Sequence, residues 1–239
     1  MIHLMSTWST DYQVLANLTF TNNKVKYAEK HGYKTHFKIH TDPNDILWDR
    51  PRQWEQVLLS IPENDWLWVS GTDLFITRPD YRLEDFIDDT AEFMCAVDHH
   101  QVFGDCFIIK NCPNSIRLIR EVLARRNEFP NEQWAFSTIL SKSQTFGHYC
   151  EKAGYSNGTT EFYKRSEDIL NSNYVKVKVW DVSQPKKISG DIPWLHDDPN
   201  VVPPCHAWYE DTFSLHVGGK SLKFRLGFIP LMTENLKFD

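Results

Sequence analysis

Residues 66–76 read WLWVSGTDLFI, an apolar and aromatic run that opens onto a turn of small residues and one aspartate. Aromatic and β-branched residues in a short run of this kind predict a buried strand that ends near Ser70. Burying an acidic residue at the end of such a strand is costly unless another group balances its charge. We therefore expect Asp73 either to bind a divalent cation such as Mg²⁺ or Mn²⁺, which prefer carboxylate oxygen, or to cap the turn.

The chain before this strand predicts alternating strands and helices. Residues 2–6 and 35–39 are candidate strands, and residues 12–31 indicate a helix that Gly32 would end. A second helix is indicated by apolar residues that recur on one face, namely Trp54, Val57, Leu58 and Ile61. The resulting βαβαβ order predicts a mainly parallel central sheet flanked by helices, with ligands bound beyond the carboxyl ends of the strands.

The second half of the chain predicts a less regular arrangement. Two strands and two helices are expected there, at residues 93–97 and 106–110, after Pro113 and over residues 132–140. In residues 174–180 valines alternate with lysines, which indicates a strand exposed on one face. Residues 213–224, FSLHVGGKSLKF, predict a further strand that runs into a Gly-Gly turn. These elements predict a smaller mixed β region in the second half of an α/β protein.

Length and composition bound the class of protein. The chain has 239 residues, of which 41% are hydrophobic and 24% are charged, as in a globular protein of one ordinary α/β domain. The net charge of −6 argues against a protein that binds nucleic acid by broad neutralisation of phosphates. The 15 phenylalanines, 9 tryptophans and 9 tyrosines suit either a large aromatic core or a sugar-binding cleft.

Cysteine usage and the absence of targeting signals in this sequence predict a cytoplasmic protein. Five cysteines without a Cys-x-x-Cys pair favour reduced thiols over a zinc site or a disulfide framework. The first residues lack the basic and apolar regions of a secretory signal. No apolar stretch approaches the roughly 20 residues that a membrane-spanning helix needs.

Several short motifs occur in the order of a known enzyme family. Before the strand that ends near Ser70, the chain carries Asn23-Lys24, Tyr27-Ala28, His31-Gly32-Tyr33 and the helix of Trp54. After it come CFIIKN at residues 106–111, Glu132-Gln133, and His216 followed by Gly219 and Lys220. This ordered set resembles the galactosyltransferase/mannosyltransferase family, whose members include plant xyloglucan xylosyltransferases and fungal α-mannan mannosyltransferases. The resemblance implies the glycosyltransferase-A fold and transfer of a sugar from a nucleotide donor to an acceptor hydroxyl, with retention of anomeric configuration.

The resemblance also divides the chain between two substrates. It implies one glycosyltransferase-A-like domain of residues 1–239, with residues 1–80 as the nucleotide-donor half and residues 81–239 as the acceptor half with a C-terminal metal and phosphate segment. Donor contacts are expected from Thr7, Trp8, Lys24, Thr72, Asp73, Gly219 and Lys220. Acceptor contacts are expected from His99, Trp194, His196 and Asp197. Core packing would explain Trp8 equally well, and loop packing the late aromatic residues.

Catalytic and metal-binding roles follow from the same resemblance. Gln133 is expected at the reacting face of the sugar, with Glu132 beside it and Asp105 as a further candidate. Asp73 and His216 could hold Mn²⁺ or Mg²⁺, because the leaving diphosphate needs positive charge. Ordinary structural roles stay open, since Glu132 suits a helix N-terminus and His216 suits a turn beside glycines.

Three positions depart from the family pattern. Gly71 stands where the family has the first aspartate of its Asp-x-Asp motif, so Asp73 is the one carboxylate that this turn can supply. Gln56 stands in place of a lysine two residues after the helix tryptophan, and Phe103-Gly104-Asp105 in place of Asn-x-Gly. Gly71 favours one alternative, a catalytically inactive sugar- or nucleotide-binding protein of the same fold. Another alternative is a phage- or virus-type transferase that glycosylates modified DNA bases, against which the acidic charge balance counts.

Overall fold

The computed structural model describes residues 1–40, 45–97, 102–142, 154, 158–170, 174–183, 187–191, 208 and 210–238. The four residues expected to contact the acceptor lie outside these ranges: His99, Trp194, His196 and Asp197. Three of the five cysteines lie within them, and Cys95, Cys106 and Cys112 are free thiols.

A six-stranded sheet dominates the described part of the chain. Its strands are β1 (Ile2–Trp8), β2 (Lys34–Ile39), β3 (Trp66–Ser70), β5 (Phe93–Val97), β6 (Val102–Lys110) and β7 (Val177–Val179), in the order β2-β1-β3-β6-β5-β7. β1 pairs in parallel with β2 and β3, and β5 pairs in parallel with β7. β6 runs antiparallel between β3 and β5. The predicted mainly parallel central sheet is confirmed.

A smaller mixed sheet continues from the turn after β3. It consists of β4 (Leu74–Ile76), β8 (Gly190–Asp191) and β9 (Ser214–His216), and β9 pairs antiparallel with β4 and parallel with β8. The register pairs Leu74 with His216, which brings the histidine next to the turn that carries Asp73. Both sheets combine strands from residues 1–80 and 81–239.

Helical segments connect the strands. They are a 3-10 turn (Thr10–Tyr12), α1 (Gln13–Ala16), a π-helix (Asn17–Val25), α2 (Lys26–His31), α3 (Ile46–Ser60), a second 3-10 turn (Leu83–Phe86), α4 (Pro113–Ala124), α5 (Glu132–Ser141), α6 (Thr160–Leu170) and α7 (Leu222–Thr233). α3, α4 and α5 pack against one another. Among the described residues, no helix combines the length and the apolar composition that crossing a bilayer requires.

The segment between β1 and β2 is helical but not the regular α-helix that the sequence predicts over residues 12–31. Its middle, Asn17–Val25, is a π-helix, a rare form that is often found at functional sites. The spacing of apolar residues along the chain does not indicate a π-helix. The polar side chains of this segment bond to the backbone around the turn after β3, and such distant contacts leave no local pattern. The segment ends as predicted at Gly32, whose φ of 73° is left-handed and suits glycine.

The structure also corrects several predicted boundaries. β1 extends beyond residue 6 to Trp8, and β6 begins at Val102, so Asp105 lies inside this strand rather than before it. Of residues 174–180, only Val177–Val179 form a strand. The sequence did not predict α7, because apolar residues on most of its faces and Pro230 in its interior obscure a helical period.

Trp54 anchors the packing of α3 against the sheet. Its side chain is fully buried, and its ring centroid lies 5.0 Å from that of Phe107 in β6 and 6.1 Å from that of Phe136 in α5. The guanidinium carbon of Arg50 lies 5.4 Å from the same ring. The contact with Phe107 is edge-to-face, an arrangement that stabilises a core beyond the area that it buries. Trp54 therefore joins a helix, a strand and a charged side chain of α3.

We expect Trp54→Ala to lower the free energy of unfolding by about 3–5 kcal/mol, because it removes a large buried ring and leaves a cavity. Leu59→Ala in the same helix is the matched control, since Leu59 is exposed and its truncation should cost little. Urea denaturation of both variants measures the difference. Equal destabilisation of the two variants would contradict the anchoring role of Trp54.

Candidate active site

A cleft of about 310 Å³ opens at the carboxyl ends of β1 and β3, the edge where the sequence predicts ligand binding. Its lining includes five residues that the sequence analysis singled out: Thr7, Trp8, Thr72, Asp73 and Asp105. The lining residues that were not predicted include Tyr12, Arg50 and Arg225. Two guanidinium groups and two carboxylates thus share one small cleft, whose charge suits a polar or ionic ligand.

Side chains of the π-helix form hydrogen bonds with the backbone on either side of Asp73, in the turn after β3 and in β4. The hydroxyl of Thr19 donates to the carbonyl of Thr72 at 2.7 Å. The side-chain amide of Asn23 donates to the carbonyl of Ile76 at 2.9 Å and accepts from its N–H at 2.8 Å. These contacts fix the backbone on both sides of Asp73, so the turn presents its carboxylate in a defined position.

Lys24 holds the same turn through a buried ammonium group. Its Nζ donates to the carbonyl of Gly71 at 2.6 Å and to the hydroxyl of Ser6 at 3.0 Å. Burial lowers the pKa of Lys24 to about 7, although the negative charge of Asp73 acts in the opposite direction. The family resemblance predicts a donor contact for Lys24, but its side chain is fully buried behind the turn and positions the cleft from there.

Asp73 meets two cationic or potentially cationic side chains from the C-terminal part of the chain. Nη1 of Arg225 lies 3.3 Å from its Oδ2, and Nε2 of His216 lies 3.6 Å from its Oδ1. The pairing of β4 with β9 brings His216 there, and α7 follows β9 closely enough to bring Arg225. The structure therefore brings together Asp73 and His216, the two predicted metal ligands.

Gly71 lies between the carboxylates of Asp73 and Asp105. A side chain at position 71 would place its Cβ 2.7 Å from Oδ1 of Asp73 and 3.2 Å from Oδ1 of Asp105. The backbone N–H of Gly71 also donates to the carbonyl of Asp105 at 2.9 Å. A carboxylate from β6 thus lies beside the position where the family pattern has its first aspartate.

Arg50 forms ion pairs with two carboxylates, those of Asp105 and Glu132. Its guanidinium forms an ion pair with Asp105, donates to the carbonyl of Gly104 at 3.1 Å, and lies 3.1 Å from Oε1 of Glu132. Burial raises the pKa of Asp105, but the charge and hydrogen bond of Arg50, together with His216 and Lys24, outweigh this effect and hold the pKa below its usual value. Burial raises the pKa of Glu132, and Arg50 only partly opposes that effect. Asp105 is therefore the ionised carboxylate, and Glu132 is the one that protonates more readily.

Gln133, the predicted group at the reacting face, lies against Gly104 of β6 and is not among the described residues that line the cleft. A side chain at position 104 would place its Cβ 2.6 Å from Cγ of Gln133, so the glutamine packs directly on the backbone of Gly104. The ring of Phe103 packs edge-on against His216 with centroids 5.0 Å apart. Residues 103–105, which depart from the family's Asn-x-Gly, therefore contact two of the predicted site residues.

Two aromatic residues lie near the end of β1, and Trp8 is packed in the protein whereas Tyr12 is exposed. Trp8 is buried, stacks on Phe37 with centroids 5.3 Å apart, and donates from its indole N–H to Gln13 at 3.0 Å. Tyr12 also lines the cleft, but 36% of its surface is exposed. The packing role that the sequence left open for Trp8 is thus realised, and Tyr12 is the aromatic ring more accessible to a ligand.

Gly219 and Lys220 lie in the turn between β9 and α7. Gly219 has a left-handed φ of 73°, and Lys220 is half-buried. Neither residue is among the described residues that line the cleft.

A local signal could have identified two of the residues that the sequence analysis missed. Arg50 precedes Trp54 by four positions, so it falls on the buried face of α3, where a charge needs a partner. Arg225 precedes Ile229 by four positions and is buried within an otherwise apolar helix. A lone charge on a buried helix face is the pattern that these residues share.

Comparison with known proteins gives one family and several similar structures. Residues 4–102 match the galactosyl transferase GMA12/MNN10 family. A glycosyltransferase involved in the glycosylation of the major capsid of PBCV-1 is 14% identical and superposes with a TM-score of 0.62, over 96% of this chain and 98% of that chain. The galactosyltransferase LgtC with donor and acceptor sugar analogues is 9% identical, with a TM-score of 0.46 over 97% of this chain and 94% of that chain. No curated protein sequence matches the chain.

The depressed pKa of Lys24 predicts how stability changes with pH. Above pH 7 the folded state releases the proton of Lys24, whereas the unfolded state keeps it up to about pH 10.5. The destabilisation from burying this cation is therefore complete below pH 7 and is relieved as the pH rises. Relative to Lys24→Met, the wild type should gain about 1 kcal/mol per pH unit between pH 7 and 9.

Urea denaturation at several pH values measures this slope. Lys26→Met, which removes an exposed lysine two residues away, is the control and should leave the slope unchanged. Parallel stability profiles for the wild type and Lys24→Met would show that Lys24 does not titrate in this range.

Proposed function

We propose that the chain is a glycosyltransferase whose cleft binds a nucleotide sugar and transfers the sugar to an acceptor hydroxyl, as on a glycan, because residues 4–102 match the galactosyl transferase GMA12/MNN10 family. The family match and the glycosyltransferase-A fold confirm the resemblance drawn from the sequence. The observation that carries the proposal is the charged cleft itself. Asp73, Asp105, Arg50 and Arg225 converge at the carboxyl ends of the parallel strands, where this class of fold binds ligands.

In the proposed reaction the bond between the anomeric carbon and the diphosphate oxygen breaks, and its electron pair stays on that oxygen. The acceptor oxygen forms the new bond to the anomeric carbon, and its proton passes to the diphosphate oxygen that leaves. Gln133 and the ionised Asp105 are the proposed groups at the reacting face, since Gln133 packs on Gly104 and Asp105 is the next residue of β6. Glu132 is buried behind them and holds Arg50 in place. Retention of configuration is the outcome that we propose from the family.

A divalent cation fits this site only as a weakly held group. Oδ1 of Asp73 and Nε2 of His216 are 3.6 Å apart, which allows one ion to contact both. In the described part of the chain, however, no cluster of three histidine, cysteine or acidic side chains has metal-binding geometry. We propose that Mn²⁺ or Mg²⁺ is held by Asp73 and His216 together with the donor. When bound, the ion supplies positive charge to the leaving diphosphate.

The remaining donor and acceptor contacts are proposals from position. Thr7, Thr72 and the exposed ring of Tyr12 lie where a base and ribose can contact the end of β1. Gly219 and Lys220, in the turn between β9 and α7, are proposed contacts of the diphosphate. Residues 81–239 remain the proposed acceptor half.

We expect at least one nucleoside diphosphate to stabilise the protein, by about 2.7 kcal/mol at a concentration one hundred times its Kd. Thermal unfolding with UDP, GDP, ADP and CDP, in MnCl₂ and in EDTA, measures the effect. Asp73→Asn should remove any further increase in melting temperature that Mn²⁺ provides, whereas Asp168→Asn, an exposed carboxylate on α6, should not. Failure of every nucleotide in both buffers would contradict the proposed donor class.

We expect Gln133→Ala to lower turnover about 100-fold, or about 2.7 kcal/mol, because a group acting at the reacting face stabilises the transition state. Its affinity for the free nucleoside diphosphate should stay within about twofold of the wild type, since uniform binding is unaffected. Release of nucleoside diphosphate from the nucleotide sugar measures turnover. Gln56→Ala, on the exposed face of α3, is the control.

Unchanged turnover in Gln133→Ala would remove this residue from the reacting face. A protein that binds nucleotide sugars but never turns them over would support the second candidate, an inactive binding protein. Gly71 is the residue that favours this candidate, because it removes a carboxylate that the family pattern contains.

A further inference from the structure

Arg225 is a buried cation on the wall of the cleft that has no role in the reaction as described so far. It lies on α7, is 8% exposed, and reaches the turn after β3 from the C-terminal end of the chain. Its one ion pair in the described part of the chain joins Nη1 to Oδ2 of Asp73 at 3.3 Å. Its Nε is buried and has no hydrogen-bond partner among the described residues.

The partners of Arg225 leave part of its hydrogen-bonding capacity unused. A guanidinium carries five N–H donors in a planar fork that matches carboxylate and phosphate oxygens. Arg50, the other arginine of the cleft, already contacts Asp105, Glu132 and the carbonyl of Gly104. Arg225 therefore has N–H groups that can donate to a ligand, whereas the guanidinium of Arg50 already contacts protein groups.

The other cations near the site are less suited to meet a ligand. Lys24 is fully buried behind the turn, and its ammonium group bonds to Gly71 and Ser6. Lys220 does not belong to the described lining of the cleft.

The position of Arg225 on its helix also points to an anion. Arg225 lies in the first turn of α7, after the N-cap Ser221. The partial positive charge of a helix N-terminus disfavours a cation there, so the side chain needs negative charge nearby. Asp73 supplies one carboxylate to Arg225, but its other oxygen is shared with His216. An anionic ligand in the cleft would supply further negative charge to Arg225.

We propose that Arg225 binds the diphosphate of the donor, so that the site still holds a nucleoside diphosphate when no divalent cation is bound. The inference rests on the proposed function and assigns to Arg225 the positive charge that a complete Asp-x-Asp motif with its metal would otherwise bring. Charge-assisted bonds from a guanidinium to phosphate oxygens are among the stronger polar contacts in proteins. The same contact stabilises the negative charge that develops on the diphosphate oxygen when the sugar leaves.

Titration of the protein with UDP, GDP, ADP and CDP in EDTA tests the proposal directly. The wild type should bind at least one of them, and Arg225→Gln should weaken that binding about tenfold or more in EDTA. Arg225→Lys, which keeps the charge but loses the fork, should lie between the two. Lys223→Gln is the matched control, since it removes an exposed charge from the same turn of α7 and should change affinity by less than about twofold.

Melting temperatures show whether each variant is folded. If Arg225→Gln is unstable because Asp73 loses its partner, the double variant Asp73→Asn/Arg225→Gln removes both charges and should still lose affinity in EDTA relative to Asp73→Asn alone. Binding that requires Mn²⁺ in the wild type, or that is equal in the wild type and Arg225→Gln, would overturn the role of Arg225 and leave the proposed function intact. Absence of binding with Mn²⁺ as well as with EDTA would overturn the proposed function and this inference together.

Discussion

The buried ammonium group of Lys24 holds the carbonyl of Gly71, and the shape of the cleft depends on this contact. Removing a lysine from water is unfavourable, and the carbonyl of Gly71, the hydroxyl of Ser6 and nearby carboxylates offset only part of that cost. With Thr19 and Asn23, Lys24 lets one helical segment fix the turn after β3 from its buried side. The position of Asp73, and through it the positions of its partners, follows from this arrangement.

Carboxylates and cations in the cleft come from distant parts of the chain and balance one another. Arg50 of α3 faces Asp105 of β6, and Arg225 of α7 faces Asp73 of the turn. Opposite charges attract more strongly in a partly buried site than in water, but each group must also offset its own loss of hydration. The site is therefore close to neutral by itself, and an anionic ligand would find cationic groups already in place.

The antiparallel strand β6 explains how the chain places two carboxylates together although its turn supplies only one. The register pairs Ser70 with Cys106, so Asp105 lies level with Gly71, one residue beyond the end of β3. The missing side chain of Gly71 leaves room for Asp105 and Asp73 to approach from either side. Gly71 thus replaces the first aspartate of the family pattern, and Asp105 of β6 places a carboxylate beside it.

Local patterns in the sequence determined the alternation of strands and helices, the glycine that ends α2 at Gly32, and the acidic turn after β3, because each depends on residues that are neighbours along the chain. The tertiary structure alone decided the π-helix, the neutralisation of Asp105 by Arg50, and the approach of Arg225 to Asp73. The last of these pairs is separated by about 150 residues. Periodicity reports which face of an element is buried, but not which distant side chain it meets. Strand register and helix packing decide that, since they bring separate segments within hydrogen-bonding distance.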